Sequence, residues 1–231
     1  MLTRLLVGSS TQVTDKATYM RIQELITSSA NTFWDPIAES QLHWVHEERQ
    51  AWLSRQREGQ WAGWDVNAER ILLEDDWTPW HTSCNESNGP VIRWFDDGKT
   101  NAAFNELDRH VLGTDLNPTA FISDAPSGAK EPTSLRDVLA ESVLVAATLK
   151  DDHGLTSGQR IAFYLPNDYR APVWIEAAKR LGAPYVAVAS GTGASSLADR
   201  ITNTGAIILA TTAGLVQQAQ KVQQLRFPLI D

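Results

Sequence analysis

The sequence has a single cysteine, Cys84, among 231 residues. No disulfide can therefore form within the chain, and a reducing compartment, the cytoplasm, is the simplest expectation. No stretch approaches the roughly 20 consecutive apolar residues that span a bilayer, so a membrane-spanning helix is not predicted. Residues 1–21 carry three basic residues, one acid and several Ser and Thr. That composition fits an ordinary terminus and also resembles an organelle transit peptide, which leaves an organelle matrix as the alternative location.

An excess of positive charge is also missing. The chain has 20 Lys and Arg against 28 Asp and Glu, a formal net charge of -8. A protein that coats nucleic acid phosphates needs a basic face, so nucleic acid is not an expected partner. His43 and His46 are three residues apart but have no third ligand at useful spacing, and no metal site is predicted. Neither G-x-S-x-G nor G-x-x-x-x-G-K-[ST] occurs, and no catalytic residue is assigned.

Tryptophan is plentiful and unevenly placed: eight of the nine fall between Trp34 and Trp94, and only Trp174 follows. This shift predicts two parts, residues 1–116 and residues 117–231. The first has a helical stretch over residues 19–31 and then short aromatic segments broken by charge. We interpret its aromatic rings as packing groups in an irregular helical layer. Carbohydrate binding by the tryptophans is an alternative interpretation.

The second part alternates regularly between strand and helix patterns. A strand is predicted over 119–123, and Ser134 begins a helix as N-cap with Asp137 three residues on. That helix ends at Gly154. Further strands are predicted over 160–165, 185–189, 206–210 and 225–230, with helices over 169–181, 195–203 and 215–224. The apolar run 185–189 predicts a strand buried on both faces. The fold class is therefore α/β, a parallel sheet with helices on both faces.

The loop Ser190-Gly191-Thr192-Gly193-Ala194-Ser195 is the strongest candidate ligand site, because it joins a strand to a helix. Glycines there allow backbone N–H groups to approach a phosphate, and the helix start adds partial positive charge. As a dinucleotide-binding motif it is incomplete: Ser196 replaces the third glycine, and position 213 is alanine where a ribose-binding acid is expected. A plain turn and a phosphate-binding loop both remain open.

Asp108-Arg109-His110 has the residue types of a catalytic group. Adjacent residues on a helix point in different directions, however, so the three cannot act on one atom. A capped and salt-bridged corner is the favoured interpretation.

Several segments together resemble acyl-CoA synthetases of the adenylate-forming, AMP-binding superfamily, of the acetyl- and propionyl-CoA synthetase type. Residues 94–101 and 105–110 resemble "W-F-x-G-G-x-x-N-x-x-x-N-x-L-D-R-H". Residues 158–162, 178–183 and 196–201 resemble "G-D-R-V-A", "A-x-R-x-G-A" and "S-L-A-D-R-I". The tryptophan-rich start, together with residues 100–106 and 176–182, is most similar to the amino-terminal synthetase module of propionyl-CoA synthases. The resemblance implies the incomplete amino-terminal domain of such an enzyme, with the rest of the synthetase domain as partner.

The resemblance also implies a function. The complete enzyme would convert a short carboxylate (3-hydroxypropionate, propionate or acetate) to an acyl-adenylate with ATP and Mg²⁺, and then transfer the acyl group to CoA. A propionyl-CoA synthase fusion would also use NADPH. The family's ATP loop, adenine-binding segment, hinge and carboxy-terminal lysine have no counterpart in residues 1–231, so the chain alone is expected to be inactive and to bind no cofactor tightly.

By the same resemblance, part of the CoA nucleotide site falls in this chain. Ser190, Gly191, Thr192 and Gly193 stand where the family has "G-G-F-S". Gln217 and Gln220 occupy positions where relatives often place two arginines, or an arginine and another polar group, a departure that weakens the grip on a CoA phosphate. A non-catalytic nucleotide- or CoA-binding or scaffold module is the alternative function. A nucleotide-binding oxidoreductase domain is disfavoured by the missing acid.

Overall fold

The computed structural model describes residues 15–44, 79–112, 116–124, 128–222 and 229–230. Contacts divide the chain into two compact units, residues 1–101 and residues 102–231, which are considered separately. Some sequence predictions lie outside the described residues: the character of residues 1–14, the packing of Trp52, Trp61, Trp64 and Trp77, and the predicted structure of residues 223–228. Within the described residues, no helix combines the length and apolar character needed to cross a membrane.

The first unit begins with two consecutive helices, α1 (Lys16–Ser28) and α2 (Ala30–Gln41). The Asp15 carboxylate accepts a hydrogen bond from the Thr18 N–H and caps α1. The helix predicted over 19–31 is therefore only partly correct, because a break at Ser29 separates α2 from it. Two short antiparallel strands follow, β1 (Cys84–Asn85) and β2 (Arg93–Trp94).

The described residues of this unit include an aromatic cluster. The rings of Trp44, Trp80 and Phe95 lie with centroids 4.7–5.2 Å apart. The buried Trp80 indole N–H donates to the Asp35 carboxylate at 2.9 Å. The indole N–H of Trp44 donates to the backbone carbonyl of Ala38 at 3.0 Å. Because these rings contact one another and their polar N–H groups have protein partners, they have a packing role, as the sequence predicts.

The second unit starts with a π-helical segment, Phe104–Asp108, that continues into α3 (Arg109–Leu112). Strands β3 (Thr119–Asp124) and β4 (Lys130–Ser134) then pair antiparallel. Helix α4 (Leu135–Asp151) starts with the predicted capping box: the Ser134 hydroxyl accepts from the Asp137 N–H, and the Asp137 carboxylate accepts from the Ser134 N–H. Gly154 follows it at φ 65°, the predicted left-handed turn.

The main sheet is parallel and has the order β6-β5-β7-β8. Helices connect its successive strands. The elements in chain order are β5 (Ile161–Leu165), α5 (Arg170–Leu181), β6 (Tyr185–Ala189), α6 (Ala194–Thr204), β7 (Ile208–Thr211), α7 (Ala213–Gln220) and β8 (Leu229–Ile230).

Each face of this sheet has its own hydrophobic core. On one face, side chains of α4 and α5 pack on Ile161 and Phe163 of β5 and on Ile208 of β7. On the other, side chains of α6 pack with Ala219 and on Tyr164 of β5. Alternate residues of β5 thus point to opposite cores, and all five are buried. The predicted α/β class, with helices covering both faces of a parallel sheet, is confirmed.

The prediction that strand 185–189 is buried on both faces is wrong. The bounds of β6 match the prediction, but β6 lies at one end of the strand order and only Val188 is buried. Tyr185 retains 40% of its accessible surface. A central strand has neighbours and helices on all sides, whereas an end strand has a neighbour on one side only. Strand β5 takes the central position instead.

Candidate functional site

Three connections leave the carboxyl edge of the parallel sheet, after Leu165, Ala189 and Thr211. From β5 the chain proceeds through α5 to β6 on one side, and from β7 it proceeds through α7 to β8 on the other. Helices α4 and α5 cover one face of the sheet, and α6 covers the other. Connections that diverge from adjacent strands create a topological switch point, where ligands of such sheets bind. This point lies between β5 and β7. The glycine loop, residues 190–193, follows β6, which is the other neighbour of β5.

The glycine loop is held from inside the protein. The phenol O–H of Tyr164, on β5, lies 2.7 Å from the carbonyl oxygen of Ser190 and 2.9 Å from that of Thr192. The Thr192 N–H donates to the Ala189 carbonyl at 2.9 Å and closes a tight turn. The loop is therefore an ordered turn with its carbonyl groups directed toward the core.

The two glycines of this loop are not required by the backbone conformation. Neither Gly191 nor Gly193 has a positive φ, and a Cβ atom added to either would meet no described heavy atom within 4 Å. Gly182 and Gly205, which end α5 and α6, have φ values of 65° and 64° and need glycine for that reason. At positions 191 and 193 the absence of a side chain leaves the backbone open to close approach by another group.

Helix α6 begins immediately after the loop with its amide groups available. Gly193 is the N-cap residue in extended conformation, φ -68° and ψ 157°, and it forms no side-chain cap. No acidic residue lies in the first turn. The first N–H groups of a helix have no partner within the helix and carry partial positive charge. Together with the loop, they offer donors to an anionic group at the carboxyl edge.

Gln217 and Gln220, the other predicted site residues, lie on α7, and both are exposed. Helices α6 and α7, which follow β6 and β7, pack into the same hydrophobic core, where Leu197 of α6 and Ala219 of α7 are both buried. Because α7 begins at Ala213 beside the carboxyl edge, Gln217 lies about 6 Å along the helix axis and Gln220 about 10 Å. Gln217 is therefore the better placed of the two to reach a ligand at this edge.

The connection after β5 contributes a charge pair. Arg170 Nε donates to both carboxylate oxygens of Asp168 at 3.1 Å. The side-chain hydrogen bond from Arg170 lowers the pKa of Asp168, which keeps the carboxylate ionised. The two charges offset each other, so this connection adds little net positive charge to the edge.

A second polar cluster joins the π-helical segment to α5. Arg180 forms a bidentate ion pair with Asp108, at 2.7 and 2.8 Å, and their side chains are only 17% and 12% exposed. Lys179 contacts Glu106 and lies 2.9 Å from Glu176. The expected salt-bridged corner at Asp108 is thus confirmed, and its partner Arg180 is identified.

The charged groups of this cluster influence one another. Burial raises the pKa of Glu176, and the hydrogen bond from Lys179 only partly offsets that effect. Burial disfavours the charge of Lys179, but hydrogen bonds to Glu106 and Glu176 outweigh it and raise the pKa of Lys179. These residues tie two helical elements together, which is a structural role.

Comparison with known proteins agrees with this architecture. Residues 107–229 match the sequence model of the AMP-binding enzyme family, which is more than half of the chain. This chain therefore belongs to the AMP-binding enzyme family. Over 56% of its length it also superposes on a crystal structure of Brucella canis acyl-CoA synthetase with a TM-score of 0.51, at 22% sequence identity and covering 23% of that chain.

Among curated proteins, acetyl-coenzyme A synthetases are similar to this chain. That of Cupriavidus pinatubonensis is 35% identical over 158 residues, covering 68% of this chain and 23% of the relative. That of Thiobacillus denitrificans is 35% identical over 160 residues, covering 69% of this chain and 24% of the relative. The chain thus spans about a quarter of the length of these relatives.

Proposed function

We propose that this chain is part of an acyl-CoA synthetase that activates a short-chain carboxylate. The whole enzyme would join the acid to AMP at the expense of ATP and then transfer the acyl group to CoA. A carboxylate oxygen is a poor leaving group, and attachment to AMP makes it a good one. Membership of the AMP-binding family and similarity to acetyl-CoA synthetases support this proposal.

Within that enzyme, the chain would contribute a backbone site for a phosphate of the CoA nucleotide, formed by Ser190, Gly191, Thr192 and Gly193. The observation that carries this proposal is that neither glycine is needed by the fold while both leave open space at the carboxyl edge. The uncapped start of α6 adds donors beside them.

The acid itself is a finer proposal. Motif similarity to propionyl-CoA synthases favours 3-hydroxypropionate over propionate and acetate, and NADPH would then serve further modules of such a fusion. The other partners would be small molecules and the remainder of the synthetase domain, in the cytoplasm. Among the described residues no three His, Cys, Asp or Glu side chains are grouped to hold a metal ion, so Mg²⁺ bound to ATP receives no assigned ligand from this part of the chain.

Calorimetric titration of the 231-residue chain with CoA tests the site. Compared with a family site that has two arginines at these positions, the two glutamines forgo two charged hydrogen bonds of about 1.5–3 kcal/mol each. Such a loss takes a roughly micromolar site toward the millimolar range, which is the dissociation constant that we expect. Gln217→Arg is expected to tighten binding by about tenfold or more. Gly191→Val is expected to abolish it at an unchanged melting temperature, because the added side chain fills open space.

Helix α6, which follows the glycine loop, offers a position for a control variant with the same added charge. Asn203→Arg adds an equal charge near the far end of α6, about 14 Å from its start. That distance exceeds the screening length of about 8 Å at physiological salt, so little change in CoA affinity is expected. Equal tightening by Asn203→Arg and Gln217→Arg, or CoA binding that survives Gly191→Val, would show that the site is wrongly placed.

Catalysis is tested separately. These 231 residues alone, incubated with ATP, Mg²⁺, CoA and each of the three acids, are expected to release no AMP, since the family's ATP-handling motifs are absent from them. Acid-dependent AMP release would refute this. The alternative function, a non-catalytic nucleotide-binding or scaffold module, predicts in addition that the same chain joined to the remainder of a related synthetase stays inactive.

A further inference from the structure

We propose that Tyr164 is a positioning residue for the glycine loop. Its O–H holds the carbonyl groups of Ser190 and Thr192 toward the core and thereby turns the N–H groups of Gly191 and Gly193 outward, toward an anionic ligand. The identity of that ligand as CoA rests on the function proposed above. The orientation of the two N–H groups does not.

The tyrosine is placed for this role by its strand. Tyr164 is the fourth residue of the central strand β5, and its side chain is fully buried in the core beneath α6. Its oxygen lies 2.7 Å from the Ser190 carbonyl and 2.9 Å from the Thr192 carbonyl. A phenol carries one proton, so the two carbonyls share a single donor that holds both ends of the turn.

The direction of the N–H groups follows from peptide geometry. A planar trans peptide unit has its C=O and N–H bonds pointing in opposite directions. The described chain contains no cis peptide bond. The unit that joins Ser190 to Gly191 has its carbonyl directed inward to Tyr164, and so has the unit that joins Thr192 to Gly193. The amide hydrogens of Gly191 and Gly193 therefore point away from the core.

The N–H group between them has a different role. The Thr192 N–H donates to the Ala189 carbonyl and stabilises the turn itself. Alternate amides of the loop thus face a ligand, while the intervening one is used internally. Glycine at the two outward positions leaves these amides uncovered, which links the conformation set by Tyr164 to the residue types at 191 and 193.

The substitution Tyr164→Phe removes the hydroxyl and keeps the ring in the core. Nuclear magnetic resonance order parameters of the Gly191 and Gly193 N–H bonds report loop rigidity directly. In the parent chain we expect values near 0.85, and in Tyr164→Phe values falling toward 0.6 or below. One net hydrogen bond contributes about 1 kcal/mol, so CoA affinity should fall about fivefold.

Thr211→Val is the matched control. The buried Thr211 hydroxyl donates to the backbone carbonyl of Tyr164 at 2.9 Å, so this change also deletes one buried hydrogen bond near the same strand but none to the loop. It should lower the melting temperature about as much as Tyr164→Phe while leaving the two order parameters and CoA affinity unchanged.

Low order parameters in the parent, or equal loosening in both variants, would overturn the proposal. So would Tyr164→Phe with a loosened loop but parental CoA affinity. If Tyr164→Phe alone loosens the loop and the parent binds no CoA, the orientation by Tyr164 stands and the proposed CoA site fails. Loosening together with weaker CoA binding in Tyr164→Phe alone supports both.

Discussion

The ion pair between Asp108 and Arg180 should be coupled strongly enough to measure. Both side chains are mostly buried, and two short hydrogen bonds join them, at 2.7 and 2.8 Å. Removal of one partner leaves the other charge buried without compensation, which costs about 3–5 kcal/mol in proteins. Because each side chain keeps some exposure, we expect the lower end, about 3 kcal/mol, for Asp108→Ala and for Arg180→Met.

The double variant distinguishes coupling from simple loss of packing. With both charges gone, neither member of the pair is left buried without its partner, so Asp108→Ala with Arg180→Met should cost no more than either single change and well below their sum. For a unit of this size, 3 kcal/mol corresponds to a fall in melting temperature of about 10 °C. Circular dichroism during thermal and urea denaturation provides both quantities.

An exposed pair supplies the control. Lys130 contacts Asp124 with side chains 68% and 72% exposed. Lys130→Met should change stability by less than about 0.5 kcal/mol, because such pairs are screened by water and salt. If Asp108→Ala costs no more than Lys130→Met, or if the double variant costs the full sum of its singles, the reasoning from burial is refuted.

Three further variants test other contacts. Gly98→Ala would place a Cβ atom 2.7 Å from Trp44 Cζ3, so it should cost about 1–3 kcal/mol by denaturation, whereas Gly191→Ala, which meets nothing within 4 Å, should be neutral. Trp174→Ala removes a partly buried ring whose centroid lies 6.1 Å from that of Phe163 and should cost about 2–3 kcal/mol without affecting CoA binding. Burial raises the pKa of Glu176, so folding favours its protonated form, and the unfavourable contribution of its charge grows as pH rises through its titration range. Glu176→Gln should therefore gain stability relative to the parent as pH rises above 4.5, the ordinary pKa of the group, and a pH-independent difference would contradict this.

Elements whose signals are local were predictable from the sequence. The capping box at Ser134 and Asp137 sets the start of α4, and Gly182 at φ 65° sets the end of α5. Each depends on residues within one helical turn, and the same holds for the apolar run of β5. Short-range hydrogen bonding and side-chain size determine such features, so the residues themselves are sufficient.

Features that depend on strand order were not predictable in this way. The apolar run of β6 has the composition of a central strand, yet its position at the end of the order leaves Ala187 and Ala189 exposed. Strand β4 contains Glu131 and Pro132 and has no apolar alternation, so pairing with β3 defines it.

Helix α2 contains Pro36, which removes one helical hydrogen bond, and its segment resembles a loop by local criteria.

In the candidate site, too, the local feature was predictable from the sequence and the long-range contacts were not. Position between a strand and a helix indicated the loop 190–193. The contact from Tyr164 comes from 26 and 28 residues earlier in the chain, and a tyrosine in an apolar strand is indistinguishable from a core aromatic until the hydroxyl is located. Asp108 and Arg180 lie in two motifs that were each recognised, but their pairing across 72 residues follows only from the packing of α5.

The electrostatics of the chain make the orientation of a few amide groups decisive. A formal net charge of -8 opposes the approach of any phosphate, and Asp168 offsets Arg170 at the carboxyl edge. Glutamine at positions 217 and 220 adds dipoles but no charge. In the proposed site, attraction for an anion would then come largely from fixed N–H groups of the described loop, whose effect depends on direction and falls off steeply with distance. A single hydroxyl that sets the direction of two of these groups should therefore influence affinity more here than in a site lined with arginine.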